Sequence, residues 1–570
     1  MPDIKTLGAQ QRKAALDALK TRYQEFQARK MNLDMTRGKP CPEQLDLSAG
    51  LMDCLGRKDF KATDGSDCRN YGGLDGLPEA KHLFAEYLEV SPDELIIGGN
   101  SSLGLMHDAM TWAFIFGAAK GSAPWSAQAP VTFLCPSPGY DRHFAICEHL
   151  GIRMIPVELK GDGPDMDAVE TLAASEAGIK GIWCVPKYSN PTGEVYSDEV
   201  VERLARMPAK ASDFRVFWDN AYAVHHLGAG PARLADLLRA CRTAGRPERA
   251  LVFGSTSKIS FAGSGLSFMA GSAANMEWAR GHLGFQTIGP DKLNQRRHVV
   301  FFKDMAGIEN HMQKHAAILK PKFDAVQEVL ERELAGKGMA EWTRPVGGYF
   351  TSINTWDGCA QRVVKMAADA GVKLTPAGST YPNKKDPRDR NIRIAPSFPS
   401  VADIRIAMEV LAVCVEIASL EKTVKAATEI IGDIPYNEYT FIGIGPGAGG
   451  IEHLNNTTVS FSGGRLDNPD ALKGMLKFLA HEYFHHYNVK RIRPYELGPF
   501  DYSREARTNL LWVSEGLTVY YEYLIVRRAG LISDEELIAS LESDIDVHGA
   551  NVLPASTKSC RTFSNSASTR

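Results

Sequence analysis

Two short stretches of this sequence carry side chains able to make or break bonds. Lys258, in Ser255-Thr256-Ser257-Lys258, offers a primary amine that adds to a carbonyl carbon once deprotonated. His481 and His485 stand four apart in His481-Glu482-Tyr483-Phe484-His485. On a helix that spacing points both imidazoles one way, so they can share a zinc ion while Glu482 polarises its water. Glu515, in Trp512-Val513-Ser514-Glu515-Gly516-Leu517, is the expected third ligand.

Lysine chemistry needs a scaffold, and short apolar runs alternating with helical patterns point to one. Glu94 to Ile97, Val131 to Cys135, Gly181 to Val185, Phe214 to Trp218 and Ala250 to Phe253 read as buried strands. Strands separated by helices imply an α/β fold with a mainly parallel sheet covered on both faces. Ligands of such sheets sit beyond the carboxyl ends of the strands. Polar residues follow the runs at those places: Gly98-Gly99-Asn100-Ser101-Ser102, whose helix start would hold a phosphate, then Asn190-Pro191-Thr192-Gly193, Asp219-Asn220-Ala221-Tyr222 and the Lys258 segment. Singly, these read as a loop, a turn, a helix cap and a solvated lysine. Their joint order at strand ends favours a site.

That order, with a late arginine in Asn391-Ile392-Arg393-Ile394-Ala395-Pro396, resembles the fold-type I aminotransferases. It is most similar to the bacterial aspartate-aminotransferase-like class I/II subgroup, also described as MocR-related. The resemblance covers residues 1–421, from the arm Thr36-Arg37-Gly38-Lys39-Pro40 onward. It implies pyridoxal 5′-phosphate (PLP) held as an imine on Lys258, which also shuttles the substrate proton. Asp219 would keep the pyridine nitrogen protonated, Asn190 and Tyr222 would bind the phenolic oxygen, and Ser101, Ser102, Ser255 and Ser257 would grip the phosphate. Arg393 would take the substrate α-carboxylate with two parallel hydrogen bonds, aided by the Gly38 N–H. Tyr71, in Arg69-Asn70-Tyr71-Gly72-Gly73, matches a tyrosine that reaches the neighbouring subunit's cofactor, so a homodimer is implied.

Two positions depart from the family pattern. Leu266 stands where many members place a phosphate-clamping arginine, and the ring-stacking tryptophan is absent from Cys135-Pro136-Ser137-Pro138-Gly139-Tyr140, leaving Tyr140 as the nearest substitute. A dicarboxylic substrate needs a second cation, which Lys292, Arg296 or Arg297 could supply from the partner subunit, though each reads first as a solvated surface charge. The expected reaction moves the amino group of an amino acid, with aspartate or glutamate preferred, to a 2-oxo acid.

The chain changes character after the helix Ala402 to Leu420. Pro469 starts a helix whose Leu472, Met475, Leu476 and Leu479 share one face and lead into the paired histidines. With the strand-like Thr457 to Phe461 and with Glu452, placed near a peptide amine, residues 432–548 resemble the catalytic core of the glycyl aminopeptidase (gluzincin) family. This implies a partial, thermolysin-like α+β metallopeptidase domain with Glu482 as general base. The unit reads as incomplete, as in a gene fusion or an assembly artefact, with a peptidase activity that is vestigial.

The expected division is 1–45 helix and arm, 46–310 large PLP-binding domain, 311–421 small domain, 422–435 linker, 436–548 metallopeptidase-like domain and 549–570 disordered tail. A net charge of -3 without a basic stripe gives no nucleic-acid footprint, and no apolar stretch is long enough for a membrane span. Scattered cysteines and a polar N-terminus suggest a reducing cytoplasm. Zinc aminopeptidase activity, or a regulatory use of the fold without catalysis, are the competing readings. Against the latter, no helix-turn-helix precedes Met31 and Lys258, Asp219 and Arg393 are all present.

Overall fold

The computed structural model describes residues 9–549 except 129, 229, 432–435, 437, 445–448, 461–468 and 499–507. The tail expected to be disordered therefore lies outside the described residues, apart from position 549.

Seven strands form the central sheet: β1 (Leu95–Ile97), β2 (Thr132–Ser137), β3 (Arg153–Glu158), β4 (Ile179–Cys184), β5 (Arg215–Asp219), β6 (Ala250–Ser255) and β7 (Ser267–Gly271). Their order is β1-β7-β6-β5-β4-β2-β3. All neighbours pair in parallel except β7, which is antiparallel to β1 and β6. Successive residues of a strand face opposite sides. Thus Leu134, Ile182, Val216 and Val252 enter one apolar cluster, while Phe133, Trp183, Phe217 and Phe253 enter another on the opposite face. Five strands match the apolar runs. The sequence reading did not identify β3 or β7. β3 is a half-exposed edge strand containing Pro156, and β7 is short and begins and ends in small residues. Neither carries a strong strand signal.

The small domain pairs β8 (Ala340–Trp342), β9 (Thr351–Thr355) and β10 (Asn391–Ile394) in the antiparallel order β10-β9-β8. Helices Met305–Leu334, Ala360–Asp369 and Val401–Ile431 cover it. The arm joins this domain: Leu33–Asp34 pairs in parallel with Val372–Lys373, and Leu19 and Phe26 of helix Ala9–Ala28 enter its core. The helix expected to end at Leu420 continues to Ile431, into the expected linker, because its sequence there holds neither Gly nor Pro.

Beyond it, β11 (Thr440–Ile444), β12 (Gly449–Glu452) and β13 (Asn456–Ser460) form a mixed sheet of order β11-β13-β12. Helices Pro469–Phe484, Leu511–Arg528 and Asp534–Gly549 follow. This unit has its own apolar cluster, centred on Tyr483, Phe484, Ile525 and Val526. No helix among the described residues is long and apolar enough to cross a membrane.

Candidate active site

Lys258 sits in the loop between β6 and β7. Two neighbouring antiparallel strands need no crossover helix, so the loop is short and can be tied to itself. Thr256 N–H donates to Leu266 O at 2.8 Å, and Leu266 N–H returns a bond to Thr256 Oγ1, also at 2.8 Å. Asn294 Nδ2 donates to the carbonyls of Ser264 and Gly265. The Lys258 amine lies 5.1 Å from the centre of the Tyr222 ring. Burial pushes its pKa down, opposed by Asp219.

Asp219 ends β5. Its Oδ2 lies 3.0 Å from His143 Nε2, and the His143 ring stacks on Trp183 at 4.4 Å and 9°. Tyr140 meets His143 edge-on at 4.9 Å. Asp219 Oδ1 is buried with no hydrogen-bond partner, a costly state that a protonated ring nitrogen would relieve. On this observation the residues fit PLP.

Arg393 lies on β10, where Ile392 and Ile394 point into the small-domain core. Its Nη1 donates to Asp141 Oδ1 at 3.0 Å and Asn190 Oδ1 at 3.3 Å, and its Nη2 to Thr375 Oγ1 at 3.3 Å. The guanidinium stands 5.0 Å from the Phe350 ring centre, and its Nε is buried without a partner. Gly38 closes the same corner: a Cβ there would lie 2.5 Å from Phe350 Cζ.

At the phosphate end, Ser101 Oγ accepts from Gly104 N–H at 3.4 Å and caps helix Ser102–Phe116. Ser257 Oγ donates to Asn100 O at 2.8 Å. Both hydroxyls thus have protein partners, while Ser102 is half-buried and Ser255 buried at the strand end. A cavity of about 240 Å³ lies between Gly98–Asn100 and Gly263–Leu266 and is bordered by Arg297. Leu266 packs in the core and leaves the clamp role vacant. Lys292 and Arg296, expected as solvated surface charges, are instead held by protein partners. Lys292 Nζ donates to Asn70 O and Gly72 O, both at 2.6 Å, and Arg296 pairs with Glu79 at 3.2 Å. Tyr71 is 83% exposed.

In the C-terminal unit the helix ends at Phe484, one residue before His485. The His485 N–H still bonds to His481 O at 3.2 Å, so the helical spacing persists. His481 Nε2 and His485 Nε2 are 3.0 Å apart, and Glu515 Oε2 lies 3.4 and 3.6 Å from them. Donor atoms of these residues all lie within 4.8 Å of one another. Glu482 Oε2 is buried without a partner, and burial pushes the carboxyl up to about 7. Nitrogen and carboxylate donors in this number suit zinc. Glu452, expected near a peptide amine, pairs with Lys490 at 3.1 Å. Both histidines have second partners without a sequence signal: His481 Nδ1 meets Glu522 Oε2 at 2.7 Å, and His485 Nδ1 meets Asn488 O at 3.0 Å.

The family model for aspartate amino-transferase matches residues 7–427. The chain belongs to that family. An aspartate aminotransferase of Corynebacterium glutamicum is 46% identical over 71% of this chain and 93% of its own length. A solved aspartate transaminase structure from that species superposes with a TM-score of 0.72, at 45% identity, over 74% of this chain and 99% of the other. An α-aminoadipate aminotransferase structure from Thermus thermophilus shares the fold, with a TM-score of 0.57 at 21% identity over 68% of this chain and 93% of that one. The M61 glycyl aminopeptidase model matches residues 474–569. That match starts later than residue 432 and runs on through the expected tail.

Within this aminotransferase, Lys258, Asp219, Tyr222, Asn190, Tyr140 and Arg393 converge from both domains. His143, Asp141 and Thr375 also belong to the cleft and were missed. His143 and Asp141 lie just after Tyr140 and could have been found as polar residues opening a helix beyond β2. Thr375 had no such signal.

Proposed function

We propose that the chain transfers the amino group of aspartate or glutamate to a 2-oxo acid, using PLP held by Lys258. The observation that carries this is the buried Asp219 oxygen without a donor, in the cleft shared by Lys258, Tyr222 and Arg393. When bound, PLP supplies an aldehyde that condenses with amines and a protonated ring that delocalises an electron pair from the substrate Cα. Asp219, backed by His143, holds the ring proton, and Asn190 and Tyr222 orient the ring. Arg393 exchanges its contacts with Asp141 and Asn190 for the two oxygens of the substrate carboxylate, with Gly38 beside it. Lys258, its pKa lowered by burial, carries the proton from Cα. Ser102, Ser255 and the N–H groups opening helix Ser102–Phe116 serve the phosphate, with Ser101 and Ser257 shaping that loop. The exposed Tyr71 reaches a second copy, which makes the active unit a homodimer. The preference for a dicarboxylic donor rests on the name of the 46% identical relative.

The test is a visible absorption band in the purified protein that is lost in Lys258→Ala and bleached by aspartate or glutamate ahead of other amino acids. A protein that binds no PLP would end this reading. Bleaching by other amino acids alone would end the aspartate assignment.

A second activity is favoured by the convergence of His481, His485 and Glu515. Zinc held there would serve peptide hydrolysis with Glu482 as base. Stoichiometric zinc, lost in His481→Ala, and chelator-sensitive cleavage of short peptides would support it. A metal-free preparation would retire it. The domains divide, on this proposal, near residues 45, 310 and 421, with a cytoplasmic setting.

A further inference from the structure

A fully buried polar network lies beneath the reactive lysine and touches its main chain rather than its amine. Tyr349 OH donates to Lys258 O at 3.4 Å. Gln44 Nε2 donates to Tyr349 OH at 2.9 Å, and the same amide lies 2.9 Å from His315 Nδ1. His315 Nε2 is 3.1 Å from His311 Nε2, which in turn lies 2.9 Å from Ile259 O. Ser48 Oγ lies 3.2 Å from that His311 nitrogen. His225 Nε2 is also 3.4 Å from Lys258 O. Gln44, Ser48, His311, His315 and Tyr349 are all at most 5% exposed.

The network has a direction. Cys41 N–H donates to Gln44 Oε1 at 3.2 Å, which fixes the amide so that its nitrogen is the donor toward Tyr349 and His315. His315 Nδ1 therefore accepts, and the ring carries a single proton on Nε2; His311 Nε2, 2.9 Å from an acceptor carbonyl, carries one too, so both Nε2–H groups are directed at Ile259 O and not at each other. Burial agrees, pushing His315 down to about 3 and lowering His311 as well, so neither ring takes a second proton near neutrality. The partners come from three parts of the chain. Gln44 and Ser48 follow the arm, His311 and His315 lie on helix Met305–Leu334, and Tyr349 precedes β9 of the small domain.

We propose that Gln44, His315 and Tyr349 are positioning residues for Lys258. They clamp the Lys258–Ile259 backbone, and through it set the direction of the amine relative to the arm and small domain. This rests on the aminotransferase reading above. A small misplacement of a reacting group lowers the rate without weakening binding of remote parts of the substrate.

The test compares His315→Leu with His315→Gln in the PLP-loaded, full-length protein. Glutamine can accept from Gln44 and donate onward, as the single neutral tautomer does, whereas leucine can do neither. For His315→Leu, kcat is expected to fall about tenfold with KM within about twofold, and the visible circular dichroism per bound cofactor to change. His315→Gln should restore both. Tyr349→Phe, which deletes only the hydroxyl, should lower kcat in the same sense, and it stands in if His315→Leu does not fold. The idea fails if His315→Leu or Tyr349→Phe lowers only the melting temperature while kcat and dichroism per bound cofactor stay unchanged. It fails equally if His315→Gln behaves as badly as leucine. Absence of any visible band in the wild-type protein would instead overturn the aminotransferase reading.

Discussion

Arg393 shows how a side chain can be ready for a ligand and satisfied without one. Its two terminal nitrogens already meet Asp141, Asn190 and Thr375, which orient the fork, while the buried Nε stays unpartnered. A lysine would keep the charge and lose the planar pair of donors. Arg393→Lys is expected to reduce kcat/KM for the amino donor by about a hundredfold, near 3 kcal/mol for a charge-assisted contact. Equilibrium binding of PLP to the apoprotein should be unchanged, as titration of the visible band would show. Lys258 and Asp219 were legible in the sequence because each sits in a motif at or just beyond a strand end, and Arg393 because the family resemblance implied it. Asp141 and His143 carried a weaker signal, as polar residues opening a helix just beyond β2, whereas Thr375 reaches the cleft from elsewhere in the chain and leaves no spacing to read.

The elements that carry these residues were legible to different degrees. Parallel strands buried on both faces announce themselves as apolar runs, whereas the edge strand β3 and the small-residue strand β7 do not. Yet β7 decides the geometry of the lysine loop by returning antiparallel beside β6. The Asn190 turn depends on a glycine that the sequence showed only as a turn former. Gly193 has φ 75°, and a Cβ there would lie 2.4 Å from Pro345 Cβ. Gly193→Ala is expected to destabilise the protein by about 1–3 kcal/mol, from left-handed backbone strain and the clash with Pro345. Urea unfolding would measure it, with Gly161→Ala as a control, since that glycine also has positive φ but open space around it.

For the molecule as a whole, buried neutral histidines link stability to acid. Burial pushes His298 down to about 4 from an ordinary 6.5. The unfolded chain takes up that proton as pH falls through 6.5, and the native state does not until about 4. Stability is therefore fully present above pH 6.5 and is lost progressively as pH drops toward 4, by up to about 3 kcal/mol from this residue. The melting temperature measured across that window should fall more steeply for wild type than for His298→Gln. The C-terminal unit keeps an apolar cluster separate from those of the aminotransferase. A chelator is accordingly expected to lower the melting temperature of that unit, by removing a ligand of the folded state. It should leave the visible band and amino transfer unchanged.

The family, the lysine loop after β6 and the histidines that cluster with Glu515 could be read from the linear chain, because local motifs and apolar periodicity are properties of neighbours in sequence. Folding alone settled which charges are free. Lys292 and Arg296 lost their expected freedom to the carbonyls of Asn70 and Gly72 and to Glu79, more than two hundred positions away. The same long-range packing gave Lys258 its backbone clamp and left Asp219 one unpaired oxygen. Hydrogen-bond satisfaction depends on what tertiary contact brings within reach, and no spacing along the chain encodes that.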